Sequence, residues 1–320
     1  MYTHNSITRV KNQSLKLAYL YYLRSIELDS ARFESKAWRV KQCSTFWHGM
    51  MDVRNGEFSH LQAYGCKDRM CPMCAMRKSR AIAAQAMAIL PGILAAAPER
   101  VAVLVTLTIK NVPFDELEGA IDALLEAWTS MRMRRIVRDH TPAWARTIEV
   151  TRNMDTGEWH PHVHIIAVVD DPLLLKPARW QSAWKAAAGL AYTPIIDARK
   201  VTSKKGVYEI SKYISKLGVL LDLPLGEAYD SVLKLLEAVD GRNLRAFGGE
   251  WLKARRKANM VDVDVMDDGQ LDATAAALDG DVNRPSLVPV VLWWSGLEYV
   301  VQVQPDSAVK GGPQAVAERS

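Results

Sequence analysis

Three groups of residues in this 320-residue chain have types and spacings that could do chemistry. The first is a set of four cysteines within 32 residues, Cys43, Cys66, Cys71 and Cys74, the last three spaced C-x4-C-x2-C. Two cysteines three apart, with Pro72 between them and Gly65 ahead of the group, form a tight thiolate turn. Cys43 and Cys66 then complete the tetrahedral sulfur shell of a structural Zn²⁺ site, with His48 or His60 as substitutes for Cys43. Four protein ligands leave no open position, so such a metal holds structure and does no chemistry. The competing readings are four separate free thiols and a Cys71-x-x-Cys74 redox pair, the latter without a thioredoxin-type strand-turn-helix context. Arg69, Arg77, Lys78 and Arg80 flank the cluster, and the first three are candidates for contacts to phosphate.

The second group is His162-Val163-His164. Alternate side chains of a strand share a face, so the two imidazoles point together, about 6.7 Å apart along the strand, while Val163, Ile165 and Ala167 enter the core. If Met154–Gly157 is the loop of a hairpin, Asn153 pairs with Glu158 and Glu149 lies opposite His162. A slip of two residues puts Glu149 opposite His164, so either same-face register brings a carboxylate to the pair. Two histidines and a carboxylate with open positions suit a catalytic Mn²⁺ or Mg²⁺ that polarises a phosphate. His160 has the same parity and is an alternative ligand. The competing reading is two surface histidines on a half-exposed strand.

The third group lies on a helix predicted over 205–218. Val207, Ile210, Ile214 and Leu217 form its apolar stripe, and Glu209, Tyr213 and Lys216 share the adjacent face. A phenol can attack a phosphodiester where a metal and a lysine stabilise the developing charge. Taken alone, this helix reads as well as a tyrosine at the edge of a core stripe beside a routine polar face.

The elements that must position these groups follow from periodicity. Helices are predicted over 15–28, 77–98 (broken at Pro91), Asp115–Arg138 (capped by Asp115) and 179–190, besides the one stopped by Gly218. Strands are predicted over 101–110, Arg146–Arg152, His162–Val169 and 194–201, with a late hairpin of Val290–Trp294 and Leu297–Val303. The order describes an α+β fold, an antiparallel sheet with helices on one face, preceded by a zinc-binding module.

Composition narrows the class. Apolar residues make up 49% and charged residues 24%, which excludes a disordered, collagen-like or disulfide-scaffold chain. The apolar run Ala81–Ala97 holds Gln85 and is interrupted by Pro91-Gly92, so it reads as a soluble helix and not a membrane span. No apolar leader follows the polar start, which predicts a cytoplasmic protein without membrane partners. Residues 1–80 carry 14 Lys/Arg against 6 Asp/Glu, whereas 260–320 carry 3 against 10. A basic front and acidic tail suit a polyanion-binding body with a solvated C-terminal appendix.

Taken together, Lys36–Cys43, Cys66–Cys74, Val105–Asn111, Ile148–Thr151, Trp159–His164 and Val207–Lys216 resemble the rolling-circle plasmid replication initiators of the single-tyrosine HUH endonuclease superfamily, in order and spacing over about 36–250. The resemblance implies a ferredoxin-like (RRM-like) HUH core over 99–255, between a basic, helical, zinc-binding region at 1–98 and an acidic extension at 256–320. It implies that His162, His164 and Glu149 bind the catalytic metal. Tyr213 is then the nucleophile, nicking one strand at the origin and staying on the 5′ phosphate while the 3′-hydroxyl primes synthesis. Glu209 would activate water for hydrolytic termination, Lys216 matches the motif lysine, and Lys212 is a candidate phosphate contact. Plasmid origin DNA, as a single strand or extruded hairpin, is the implied partner, with a host helicase, single-strand binding protein and DNA polymerase implied by the family alone. A relaxase or single-tyrosine transposase keeps the chemistry with another biology. Relaxases, however, place the tyrosine ahead of the histidines, and short transposases lack the cysteine region. A zinc-containing DNA-binding protein with a decayed nuclease would have lost one of His162, His164, Tyr213 or Glu209, and an RNA-binding zinc ribbon leaves the co-facing histidines unexplained.

Overall fold

The computed structural model describes residues 2–202, 206–208 and 217–304 and is α+β, with two antiparallel sheets. The chain divides into two compact units, Met1–Arg77 with Met266–Ser320, and Lys78–Val265. Among the described residues no helix is long and apolar enough to cross a membrane.

In the first unit, helices α1 (His4–Leu28) and α2 (Ala31–Gln42) form a hairpin, with Asp29 in the left-handed conformation closing α1. Strands β1 (Phe46–Asp52), β2 (Phe58–Ala63), β8 (Leu287–Trp294) and β9 (Tyr299–Val303) make a sheet of order β2-β1-β8-β9. Trp47 and its cross-strand partner Leu292 are both fully buried. The described part of the acidic C-terminal stretch, up to residue 304, is therefore not a solvated appendix: the predicted late hairpin pairs with β1, and helix α10 (Asp268–Ala276) lies against β2. Its alternating apolar residues complete a sheet, and its carboxylates neutralise buried cations, so this stretch folds with the N-terminal region. Helix α3 (Pro72–Leu94) contains the boundary between the units. It runs through Pro91, whose missing N–H costs one bond near the exposed end of the helix while its carbonyl still accepts from Ala95.

The second unit is built on the sheet β6-β3-β5-β4-β7, formed by β3 (Val101–Thr108), β4 (Ala143–Arg152), β5 (Trp159–Val169), β6 (Ile196–Lys200) and β7 (Arg245–Gly249). All neighbouring pairs are antiparallel. Leu104, Ala143, Ala145, Ile166 and Val168 cluster on one face with Ile89, Ile93, Val207 and Trp251, the last from helix α9 (Glu250–Lys257). The opposite face carries Trp144, whose indole meets Trp128 of helix α4 (Phe114–Met133) edge-on at 5.1 Å. Helices thus cover both faces, because β5 is apolar at every position from Ile165 to Val169 and both of its faces need cover.

Most helix ends differ from the prediction: α1 starts at His4 rather than 15, and α3 spans Pro72–Leu94 rather than 77–98. Pro113 occupies the cap of α4 and Asp115 its first turn; Arg134 is extended, so α4 stops at Met133 and Arg135–Arg138 forms the short helix α5. Helix α6 is Pro177–Ala187. Residues 206–208 are helical, and α7 (Leu217–Leu221) continues past Gly218 to bury Leu220 and Leu221 before α8 (Leu225–Val239).

Candidate metal centres

The β4–β5 hairpin sets the first site. Asn153 Oδ1 accepts from the backbone N–H of Asp155 and Thr156, Gly157 takes a positive φ of 73°, and Asn153 N–H donates to Glu158 O at 2.8 Å. This closure fixes the register with Glu149 opposite His162 and Thr147 opposite His164. Glu149, His162 and His164 are all buried on one face of the sheet.

Their ligand atoms converge. His162 Nε2 lies 3.2 Å from His164 Nε2, and Glu149 Oε2 lies 3.0 Å from His164 Nε2 and 3.5 Å from His162 Nε2. Ligands bonded at ~2.1 Å and at right angles about one ion sit about 3 Å apart, so the three atoms fit adjacent positions of one coordination shell. The outer ring nitrogens agree. His162 Nδ1 is 3.0 Å from the His160 carbonyl, which can only accept, so the proton is on Nδ1 and the Nε2 lone pair points inward. His164 Nδ1 is 3.1 Å from Thr106 Oγ1, which can accept in the same way. Among the described residues Glu149 Oε1 is buried without a hydrogen-bond partner, a position that a bound cation would satisfy. Burial alone would raise the Glu149 carboxyl, but hydrogen bonds and charge from His162 and His164 outweigh it and hold the group well below the usual carboxylate range. His160 gives this group its carbonyl and not its ring, which stacks on His162 at 5.0 Å; burial, then the neighbouring His162, push it below the ordinary histidine value.

The cysteines form the second site. Cys43 follows α2, Cys66 follows β2, and Cys71 and Cys74 sit at the start of α3, where the helix dipole favours thiolate. All four sulfurs lie within 4.8 Å of one another, with Cys43–Cys74 and Cys66–Cys74 at 3.6 Å. That is far beyond a disulfide bond of ~2.05 Å. It is close to the ~3.8 Å edge of a tetrahedron with ~2.3 Å metal–sulfur bonds. Contacts from Cys66, Cys71 and Cys74 pull the Cys43 thiol well down, whereas burial pushes Cys71 up. Lys11 is buried beside them, donating to the carbonyls of Lys41 (2.8 Å) and Cys43 (2.6 Å). Its desolvation, partly offset by the cysteines, lowers it to about 8. His48 instead packs edge-on against Phe46 and His60 Nε2 lies 3.2 Å from Gly280 O, so neither replaces Cys43.

The basic flank of the cysteines is not a phosphate-binding surface at two of its positions. Arg77 is 1% exposed and holds Asp272 through two bonds of 2.7–2.8 Å, with Asp268 at 2.9 Å and the Ala63 carbonyl at 2.7 Å. Lys78 is buried and donates to Asp264 at 2.8 Å. Composition shows cations but not the acids, some 190 residues later, that neutralise them. Arg69 is half-buried. Glu209, Lys212, Tyr213 and Lys216 lie outside the described residues. The Tyr192 hydroxyl accepts from Lys110 N–H at 2.8 Å. Sequence reading missed Thr106, Ser14 and Lys11. Thr106 was within reach, since the alternation in Val105-Thr-Leu-Thr108 puts it on the histidine face opposite His164. Ser14, which caps Met73 N–H and touches Cys71 at 3.7 Å, carries no local signal.

Comparison with known proteins gives one family. A family model described as replication protein (Rep_1) matches residues 57–295. A "Protein rep" of Bacillus sp is 27% identical over 312 residues, covering 89% of this chain and 98% of that protein. One of Bacillus amyloliquefaciens is 25% identical over 319 residues (91% and 92%), and one of Streptococcus pneumoniae serotype 2 is 26% identical over 255 residues (75% and 76%). No solved structure matches.

Proposed function

We infer the chemistry of this chain from one premise: it belongs to the Rep family of replication proteins. Its role is that of a plasmid replication initiator, acting in the cytoplasm on origin DNA as a site-specific, single-strand nickase with an HUH-type fold. The observation that carries this reading is the convergence of His162 Nε2, His164 Nε2 and Glu149 Oε2 on one face of the hairpin. These three residues hold Mn²⁺ or Mg²⁺, which supplies charge stabilisation to the scissile phosphate.

Tyr213 is the nucleophile. Its phenolic oxygen bonds to phosphorus as the P–O3′ bond breaks; the phenol loses its proton and the departing 3′ oxygen gains one. The product is a 5′-phosphotyrosine and a free 3′-hydroxyl that primes synthesis. Supporting this choice, Val207, six residues before Tyr213, packs with Leu104 and Ile166 on the sheet face that carries both histidines. Lys216 offsets charge on the phosphate, Lys212 contacts the backbone, and Glu209 takes a proton from water when the regenerated origin is cut. The four cysteines hold structural Zn²⁺. Host helicase, single-strand binding protein and polymerase then extend the primed strand.

The test mixes purified protein, Mn²⁺ and a supercoiled plasmid carrying its own gene and flanking DNA. An SDS-stable, protease-sensitive adduct formed by wild type and absent in Tyr213→Phe is the expected result. Nicking that survives in the variant moves the nucleophile to Tyr208 or Tyr192. Binding without nicking, on a plasmid shown to replicate from that origin, overturns the enzymatic reading.

A further inference from the structure

A groove of about 790 Å³ runs between α1 and α2, within the first unit and outside either metal centre. Its floor is small: Ala18, Ala31, Ser35 and Ala37. Its walls are aromatic, Tyr19 and Tyr22 from α1 and Trp38 from α2, exposed by 47%, 49% and 63%. Helical spacing explains the pattern. Leu15, Ala18, Tyr19 and Tyr22 follow i, i+3, i+4, i+7 along α1, and Ala31, Glu34, Ser35 and Trp38 do so along α2. Large apolar side chains at these positions would have closed the hairpin; small ones leave the aromatic faces standing apart. Among the described residues, none of the three aromatic side chains makes a hydrogen bond or a ring contact, so none is held as part of a polar or aromatic network.

Charge chooses the occupant. Residues 4–42 carry eight Lys/Arg against three Asp/Glu, a net of +5 equal to that of the whole chain. Lys11 is committed to carbonyls and Lys36 lies 3.8 Å from Asp68, whereas Arg32 and Lys41 are exposed, Lys41 on the groove itself. Unpartnered aromatic faces over a small-residue floor, lined by Lys41 and Glu34 within a helix pair of net charge +5, suit unstacked nucleobases and their phosphates. An acidic amphipathic helix would be drawn by the same charge but needs a broad aliphatic floor. We propose that the α1–α2 groove binds single-stranded DNA, Tyr19, Tyr22 and Trp38 stacking its bases. The proposal rests on the replication-initiator reading only for the source of the single strand.

The experiment titrates the full chain into labelled oligo-dT longer than the ~4–16 nucleotides one such site covers, and reads anisotropy. Trp38→Ala is expected to weaken binding about tenfold, and adding Tyr22→Ala about tenfold again, with Trp38→Phe restoring most of the Trp38 loss. Glu34→Lys should tighten it by a few fold. Equal zinc content and circular dichroism in the variants show that the fold is kept. Affinity for oligo-dT unchanged by Trp38→Ala overturns the proposal, as does equal, Trp38-independent affinity for duplex of the same length. Oligo-dT that does not bind while an acidic amphipathic peptide does, lost in Trp38→Ala, assigns the groove to a protein partner instead. The nicking assay separates the two readings. Nicking with Trp38-independent oligo-dT binding removes the groove alone, and Trp38-dependent binding without nicking removes the nuclease alone.

Discussion

The two ligand groups contrast in how they are assembled. Glu149, His162 and His164 come from a single hairpin, whose turn fixes their register and whose pleat fixes their common face. The cysteines come from three separated places, the end of α2, the residues after β2 and the start of α3, and meet only when the first unit has folded. Four sulfurs close a coordination shell; two nitrogens and one oxygen leave it open. A group that exists only in the folded chain and presents no open position has structure to gain from a metal. A group preformed on a rigid hairpin, with a spare carboxylate oxygen, has chemistry to gain. The lesson is that convergence alone does not separate the two uses, whereas ligand count and the origin of the ligands do.

The largest effect is expected where folding and metal are linked. Cys74→Ser should abolish cooperative melting of the first unit and the binding of the one zinc per chain proposed for this group, since structural Zn²⁺ is worth about 10–16 kcal/mol in small zinc domains. Zinc content by mass spectrometry and a calorimetric melt read both. A variant that keeps its zinc and its transition removes the closed-site side of the contrast. Arg77 comes next. Arg77→Met strands Asp272 without its cation and should cost about 3–5 kcal/mol, while the salt slope of DNA binding stays that of wild type. A reduced slope with an unchanged melt would return Arg77 to the DNA surface.

His162→Ala should reverse this pattern, lowering nicking by on the order of 10²–10³-fold and abolishing Mn²⁺ binding with little change in melting. A lower melting temperature with Mn²⁺ affinity intact would make the trio a structural polar cluster. The pH dependence sharpens the point. The folded Glu149 carboxyl lies below its ordinary value of 4.5, so its stabilising contribution is complete at neutral pH and is lost only as pH falls through that lower folded value. Between neutrality and mild acid the carboxylate stays ionised and keeps its full charge for a bound cation. Glu149→Gln should therefore weaken Mn²⁺ binding already at neutral pH, where the carboxylate is fully ionised; unchanged affinity there would remove Glu149 from the ligand set.

How much of this was legible in the sequence follows the same contrast. The hairpin was readable because period-two alternation and the Asn153–Gly157 turn act over a dozen residues, enough to put Glu149 opposite His162. The cysteine spacing was readable as chemistry but not as architecture. Nothing local to Cys66–Cys74 shows that β8 pairs with β1 or that Asp268 and Asp272 cancel Arg77, because those partners lie about 200 residues away. Helix α2 was missed since only Phe33, Ala37 and Val40 mark its inner face, too few to stand out from its charged residues. The helix ends erred for a general reason: caps depend on which carbonyls the surrounding fold satisfies, as with Gly218, which stays helical under the burial of Leu220 and Leu221.

The smallest effect tests the open site through a residue that touches no metal. Thr106 Oγ1 faces His164 Nδ1 at 3.1 Å, and a ligating imidazole needs its proton on that nitrogen so that the Nε2 lone pair is free. Thr106→Val keeps the shape and β-propensity of the strand while removing the acceptor. The expected loss is about tenfold in Mn²⁺ affinity, with nicking restored by excess Mn²⁺ and the melt unchanged, and Thr106→Ser should recover most of it. A purely structural role predicts the opposite split: a lower melting temperature with Mn²⁺ affinity unchanged. The cysteine group differs: four thiolates have no second ring nitrogen to orient, so a neighbour such as Ser14, 3.7 Å from Cys71 Sγ, cannot act through a ligand's proton. That difference is why the hydrogen-bonding shell around His164, and not the ligands themselves, is where the hairpin site can be tuned without being destroyed.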